Sequence, residues 1–139
     1  MIALPSKLLP GDRRELAAIY VGGALGGALR TGLSELAPTH PGHWPWVTFS
    51  VNLVGCLLLG YFITRLQERL PVTAYRRPLL GTGLCGGLTT FSTFQLDLVR
   101  MLDRGDLLLA LAYAAASVAA GFAGVLLGTG IPRRAKLTW

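Results

Sequence analysis

The chain has 139 residues, is 52% hydrophobic and only 14% charged, and has a mean hydropathy of +0.51. A soluble domain carries roughly 25% charged residues, so the composition reads as a membrane protein, taken as a single integral-membrane domain over residues 1–139. The formal net charge of +6 comes from short clusters between apolar runs. There is no basic stripe with interleaved aromatics, which speaks against nucleic acid and fits juxtamembrane cations facing anionic lipid headgroups.

Four apolar segments follow in chain order, and a spanning helix needs about 20 mostly apolar residues. The first, 16–36, contains "GGALGGALR" and is uncharged until Arg30, whose long side chain can snorkel or bridge to a carbonyl or carboxylate. It lacks a small-residue cleavage site and is expected to be a retained span. The second, 47–66, follows the Pro-rich connection "APTHPGHWPW", where Trp44 and Trp46 are expected at the headgroup boundary, as is Tyr75 in the next connection. The third, 78–102, contains "GLCGGLTTFSTF", rich in glycine and β-branched threonine, which are poor helix formers. The fourth, 107–131, has no charge and is closed by Pro132 and "RRAK". Short connections imply antiparallel neighbours, so the expected fold is an all-α, multi-pass bundle of four transmembrane helices. Gly22/Gly26, Gly23/Gly27 and Ala120/Gly124/Gly128 form small-residue rows suited to close packing, within or between subunits. Four helices enclose little alone, so oligomerisation is expected.

The chemistry is that of neutral donors. No carboxylate lies mid-span; Asp97, near the end of the third segment, comes nearest. A proton-coupled exporter needs a titratable group on its pathway, and an enzyme needs an acid pair or a nucleophile–histidine arrangement; neither pattern occurs. Cys56 and Cys85 lack CxxC partners and read as small buried hydrophobes, and His40 and His43 as loop residues. Thr48 and Asn52 share a face of the second helix, and Tyr113 and Ser117 a face of the fourth. The third offers Thr89, Thr90, Ser92, Thr93 and Gln95, with Phe91 and Phe94 on one face. Such groups serve as interhelical glue, or, with the positive edges of aromatic rings, as a path for a small anion. A small-cation exporter and a purely structural membrane subunit are the rival readings.

With Asn52 inside "WPWVTFSVNLVGCLLLG" and the third-span motif "GTGLCGGLTTFSTF", the chain resembles the Fluc/CrcB family of fluoride channels, over roughly residues 19–128. The resemblance implies a passive, non-enzymatic fluoride channel in the cell inner (plasma) membrane that exports fluoride and so protects against its toxicity. It implies an antiparallel, dual-topology dimer with a central structural sodium ion. By the same resemblance Asn52, Phe91, Phe94 and Thr48 line the fluoride path. Thr90, Ser92 and Thr93 belong to its hydroxyl motif, Tyr113 and Ser117 to its fourth-span polar track, and the carbonyls of Gly86 and Thr89 hold the sodium. The motif's glycines and threonines then read as a break in the third helix near 86–90. Two departures stand out: Gly121 where the track often has a hydroxyl, and Asp97 where a glutamate often follows the phenylalanines.

Charge sets an expectation about orientation. Ten of the 13 Lys and Arg fall on the side shared by the termini and the second connection: Lys7, Arg13, Arg14, Arg65, Arg69, Arg76, Arg77, Arg133, Arg134 and Lys136; Arg30, Arg100 and Arg104 fall on the other. The positive-inside rule then favours cytoplasmic termini, whereas an antiparallel dimer needs one inverted subunit. A homodimer is favoured over pairing with an oppositely biased paralogue.

Overall fold

The computed structural model describes residues 10–69 and 75–134, and every regular element among them is helical. Lys7, Lys136 and part of the second connection lie outside these residues. Helix α1 spans Pro10–Leu36 and α2 Trp46–Arg69. Helix α3 combines the wide-turn stretch Arg77–Cys85 with the short turn Gly86–Leu88. Helix α4 spans Phe91–Asp103 and α5 Leu107–Arg134. Among the described residues three helices are long and apolar enough to cross a membrane, within α1, α2 and α5. The third crossing in chain order is divided between α3 and α4. The chain is a multi-pass membrane protein.

The boundaries extend the apolar segments outward. Helix α1 passes through Arg30 without interruption, and α5 continues past Pro132 into its last turn. Gly105, at φ 80°, turns the chain between α4 and α5, with its N–H donating to the Leu102 carbonyl at 2.9 Å.

Two helix pairs dominate the packing, α2 with α5 and α1 with α3. Both rest on glycine because the backbones touch. A methyl group on Gly83 would lie 2.7 Å from the Ile19 carbonyl oxygen, and one on Gly26 would lie 2.7 Å from the Leu88 nitrogen. On the other side, a methyl on Gly60 would meet the Val125 carbonyl oxygen at 2.5 Å, and one on Gly128 the Tyr61 nitrogen at 2.9 Å. The rows Gly22/Gly26 and Gly124/Gly128 therefore close contacts within one subunit; Gly27 faces open space. In lipid, where burial gives helices no hydrophobic gain, such close approach supplies the van der Waals attraction.

The third crossing breaks at Thr89 (φ −77°, ψ 153°) and Thr90 (φ −146°, ψ 122°), both extended. The glycines before them stay helical, with Gly86 at φ −65° and ψ −36°. Of the glycines and threonines expected to make the break, the threonines carry it, their β-branched side chains being at home in extended backbone. Gly87 instead lets α3 lie against the backbone of Gly23, and Gly55 on α2 leaves room for the Thr89 methyl. The wide winding of Arg77–Cys85 brings the Leu79 and Leu84 carbonyls to the surface of α1 at Gly22 and Gly26.

Candidate functional site

A helix break within the depth of a membrane strands backbone donors and acceptors that lipid cannot satisfy. Several of them find partners here. In an unbroken helix the Thr90 N–H would reach the Gly86 carbonyl; it donates instead to Asn52 Oδ1 at 2.7 Å. Asn52 Nδ2 returns a bond to the Thr90 carbonyl at 3.0 Å. One side-chain amide thus pairs with the displaced residue as a β-strand neighbour would. The Thr93 N–H, which would have reached the Thr89 carbonyl, donates to the Thr90 hydroxyl at 3.2 Å, an N-cap for α4. Arg30 Nε, from α1, donates to the Gly87 carbonyl at 3.3 Å. Gly86 and Thr89 are among the carbonyls that lose their helical donors to this rearrangement.

Arg30 therefore bridges to a carbonyl, one of the two structural roles its position allowed. A charge-assisted bond of this kind is worth about 1.5–3 kcal/mol. Arg30→Gln should lower thermal stability and weaken assembly in size-exclusion chromatography. A variant that assembles normally but loses fluoride flux only at low ionic strength would instead make Arg30 an anion-attracting cation.

The break opens onto a groove of about 500 Å³ bordered by Asn52, Gly86, Thr89, Phe91, Phe94 and Ser117, among others. Gly86 is exposed, with open space where a side chain would stand. Phe91 is 71% exposed in the single chain. Phe94 is half-buried; its ring centroid lies 6.0 Å from that of Phe91, stacked, and 5.2 Å from that of Tyr113. The hydroxyls of Thr90, Ser92 and Thr93 are brought together: Thr90 Oγ1 lies 3.3 Å from Ser92 Oγ and donates to Thr93 Oγ1 at 3.0 Å. This network caps α4, so much of its hydrogen-bonding capacity is spent internally.

Beyond the groove, Thr48, Asp97 and Tyr113 meet between α2, α4 and α5. All three are buried, Tyr113 completely. Among the described residues the Tyr113 hydroxyl, Ser117 Oγ and Asp97 Oδ2 are buried and form no hydrogen bond of good geometry. Tyr113 lies close to Thr48, Ser117 and Asp97, so these polar groups form one buried cluster. They run from the groove, which Ser117 borders, to a second cavity of about 300 Å³, which Asp97 borders.

Three features were not read from the sequence. Trp44 packs inward: it lies edge-on to Tyr113, centroids 5.3 Å apart, and against Phe49, with its indole nitrogen buried. The fully buried Pro45 turns Trp44 inward while Trp46 stays 65% exposed. The paired bonds from Asn52 to the break were also missed. The signal was present, since a mid-span amide needs a donor and an acceptor and a helix break releases one of each. Finally, His40 and His43, read as loop residues, border the second cavity with Asp97, Arg100 and Arg104.

The family model described as CrcB-like protein, Camphor Resistance (CrcB), matches residues 17–129. The chain is 56% identical over 126 residues to the Fluoride-specific ion channel FluC 1 of Mycobacterium bovis, and equally to that of Mycobacterium tuberculosis, covering 91% of this chain and 96% of each relative. It is 44% identical over 132 residues to the Fluoride-specific ion channel FluC 2 of Nocardia farcinica, covering 95% of this chain and 94% of that protein.

Proposed function

This chain belongs to the CrcB family, and from that premise we propose that it is a passive, fluoride-specific ion channel of the cell inner membrane, working as an antiparallel dimer. The observation that carries the reading is the row of buried polar groups at Tyr113, Ser117 and Asp97, leading from one cavity to the groove of Phe91 and Phe94. Fluoride is small and strongly hydrated, so a pore must replace its water with donors without holding the ion too tightly. Hydroxyl groups and aromatic ring edges do this without a fixed positive charge in mid-membrane. Thr48 is placed to orient the Asp97 and Tyr113 end, and the capped N-terminus of α4 adds a favourable potential near Phe91. Gly121, beside Cys56 Sγ at the groove, ends the hydroxyl line one turn beyond Ser117.

The dimer follows from what one chain leaves open. The groove exposes Phe91, Gly86 and the break on the chain's surface, and a second copy inverted in the membrane would cover them. The Gly86 and Thr89 carbonyls fit a hard monovalent cation: both have lost their helical donors, and both border the groove. A sodium ion there would supply charge to hold two breaks together, with ligands from the backbone. The excess of cations on one side opposes dual insertion, but the break motif is complete in this chain, which favours a homodimer over a paralogue pair. A cysteine engineered at the C-terminus, in cells expressing this chain alone, should label from both sides. Labelling from the cytoplasm only, without fluoride resistance, would mean an oppositely oriented partner is required.

The function itself is tested with purified protein in liposomes carrying a fluoride gradient and a potassium ionophore. Fluoride efflux well above that of empty vesicles, without a proton gradient, is expected. Efflux no greater than in empty vesicles would sink the channel reading, and efflux that demands a proton gradient would replace it with a coupled transporter.

A further inference from the structure

The paired helices α1 and α3 begin at the same end of the bundle. Arg14 Nη1 donates to the Tyr75 hydroxyl at 3.4 Å, which sets the first turns of α1 beside the start of α3. Arg13 and Arg14 stand on α1; Arg76 caps α3 and Arg77 opens it, and all four are exposed. Farther along the pair the backbones are locked together: a methyl group on Gly83 would lie 3.0 Å from the Gly22 Cα. The four guanidiniums are therefore carried by one rigid unit rather than by two independent tails.

Among the described residues none of these four arginines makes an ion pair; the two pairs present are Asp97 with Arg100 and Arg104 with Asp106. Asp12 and Glu15 are the acidic residues of these two helix ends in the sequence, so four positive charges stand against two negative ones. The Tyr75 hydroxyl accepts from Arg14 and keeps its own hydrogen to donate. Guanidiniums with a hydroxyl beside them suit the oxygens of a phosphate group. The surface then changes character in one direction. Arg13, Leu16 and Tyr20 fall at i, i+3 and i+7 on α1, so a single face runs from cation to apolar side chains. Leu16 is 51% exposed and Tyr20 78%. A free phosphate would use only the cationic end of this face, whereas a phospholipid uses both.

We propose that the start of the α1–α3 pair is a seat for one anionic phospholipid, its phosphate on Arg14, Arg76, Arg77 and Tyr75 and an acyl chain along Leu16 and Tyr20. None of these residues borders the groove or the second cavity, so the inference stands apart from the fluoride path. It also goes beyond a general attraction of juxtamembrane cations to a negative membrane, because it needs both helices and gives the lipid a fixed place.

The test is native mass spectrometry of the full chain purified in detergent and titrated with phosphatidylglycerol, with phosphatidylcholine and inorganic phosphate in parallel. Phosphatidylglycerol should be retained, one per subunit, at concentrations where neither of the others is. A cation at the membrane surface contributes about fivefold to the binding of an anionic lipid. R14Q/R77Q should therefore weaken retention about 30-fold. R65Q, which removes a cation from α2, should leave it unchanged. R77Q alone keeps the Arg14–Tyr75 bond and should cost about fivefold, so it decides the matter if the double variant fails to assemble. Equal retention by the wild type and R77Q, an equal loss in R65Q, retention of phosphatidylcholine at the same level, or inorganic phosphate bound in place of the lipid would each overturn the inference.

Discussion

Asn52→Ala is expected to lower fluoride flux by about 100-fold, because the break in the third crossing is tied to α2 by this one amide. The substitution removes two bonds to Thr90 and leaves its N–H and carbonyl without those partners. An unmet buried backbone group costs about 1–3 kcal/mol, and about 3 kcal/mol in total corresponds to about a 100-fold loss of the productive backbone geometry. Asn52→Asp should fare no better: it keeps an acceptor for the Thr90 N–H but sets a carboxylate oxygen against the Thr90 carbonyl. The bonds to the break mean that this variant impairs folding as well as permeation. Flux per assembled dimer, together with a thermal melt, checks the prediction. Wild-type conduction with an unchanged melting temperature would show that the break holds without Asn52.

Phe91→Ile and Phe94→Ile are expected to cut flux by about tenfold each while the dimer persists. Isoleucine keeps much of the bulk and removes the positive ring edge, an interaction scale of about 1.5 kcal/mol. The two should differ in stability. Phe91 is largely exposed in the subunit, so its loss leaves the subunit fold intact. Phe94 packs on Tyr113, and its replacement also forfeits about 0.5–1.5 kcal/mol of aromatic contact. Flux in liposomes beside a size-exclusion profile separates the effects. If both variants were well assembled and conducted normally, the phenylalanines would be packing only.

The spans were legible because lipid imposes long apolar runs and charged ends, and both survive in the sequence as plain composition. The break was legible in place but not in cause. Glycine and threonine both disfavour helix, and composition cannot tell which residue bends the chain and which lets another backbone approach; only the packing of Gly87 on Gly23 and of Thr89 beside Gly55 separates these roles. Asn52 was singled out as a mid-span donor, yet its partner, Thr90, is 38 residues away, a pairing that no local pattern encodes. The second cavity escaped notice for the same reason. His40 and His43 look isolated along the chain, and they acquire meaning only when the Pro-rich connection folds over the Asp97–Arg100–Arg104 face of α4. Trp44 and Trp46 flank one proline and have opposite fates, decided by the fully buried turn at Pro45.

The central claim is that the extended pair Thr89–Thr90 both frees the carbonyls for assembly and delivers the phenylalanines to the pore. An experimental structure of the assembled protein in lipid, with crystals or particles prepared in sodium and in a heavier monovalent cation, tests it most directly. The account predicts an extended Thr89–Thr90 in each subunit, held by Asn52, with the cation on the two-fold axis between the Gly86 and Thr89 carbonyls. A continuous, fully hydrogen-bonded helix through 86–90, with no cation between the subunits, would contradict it.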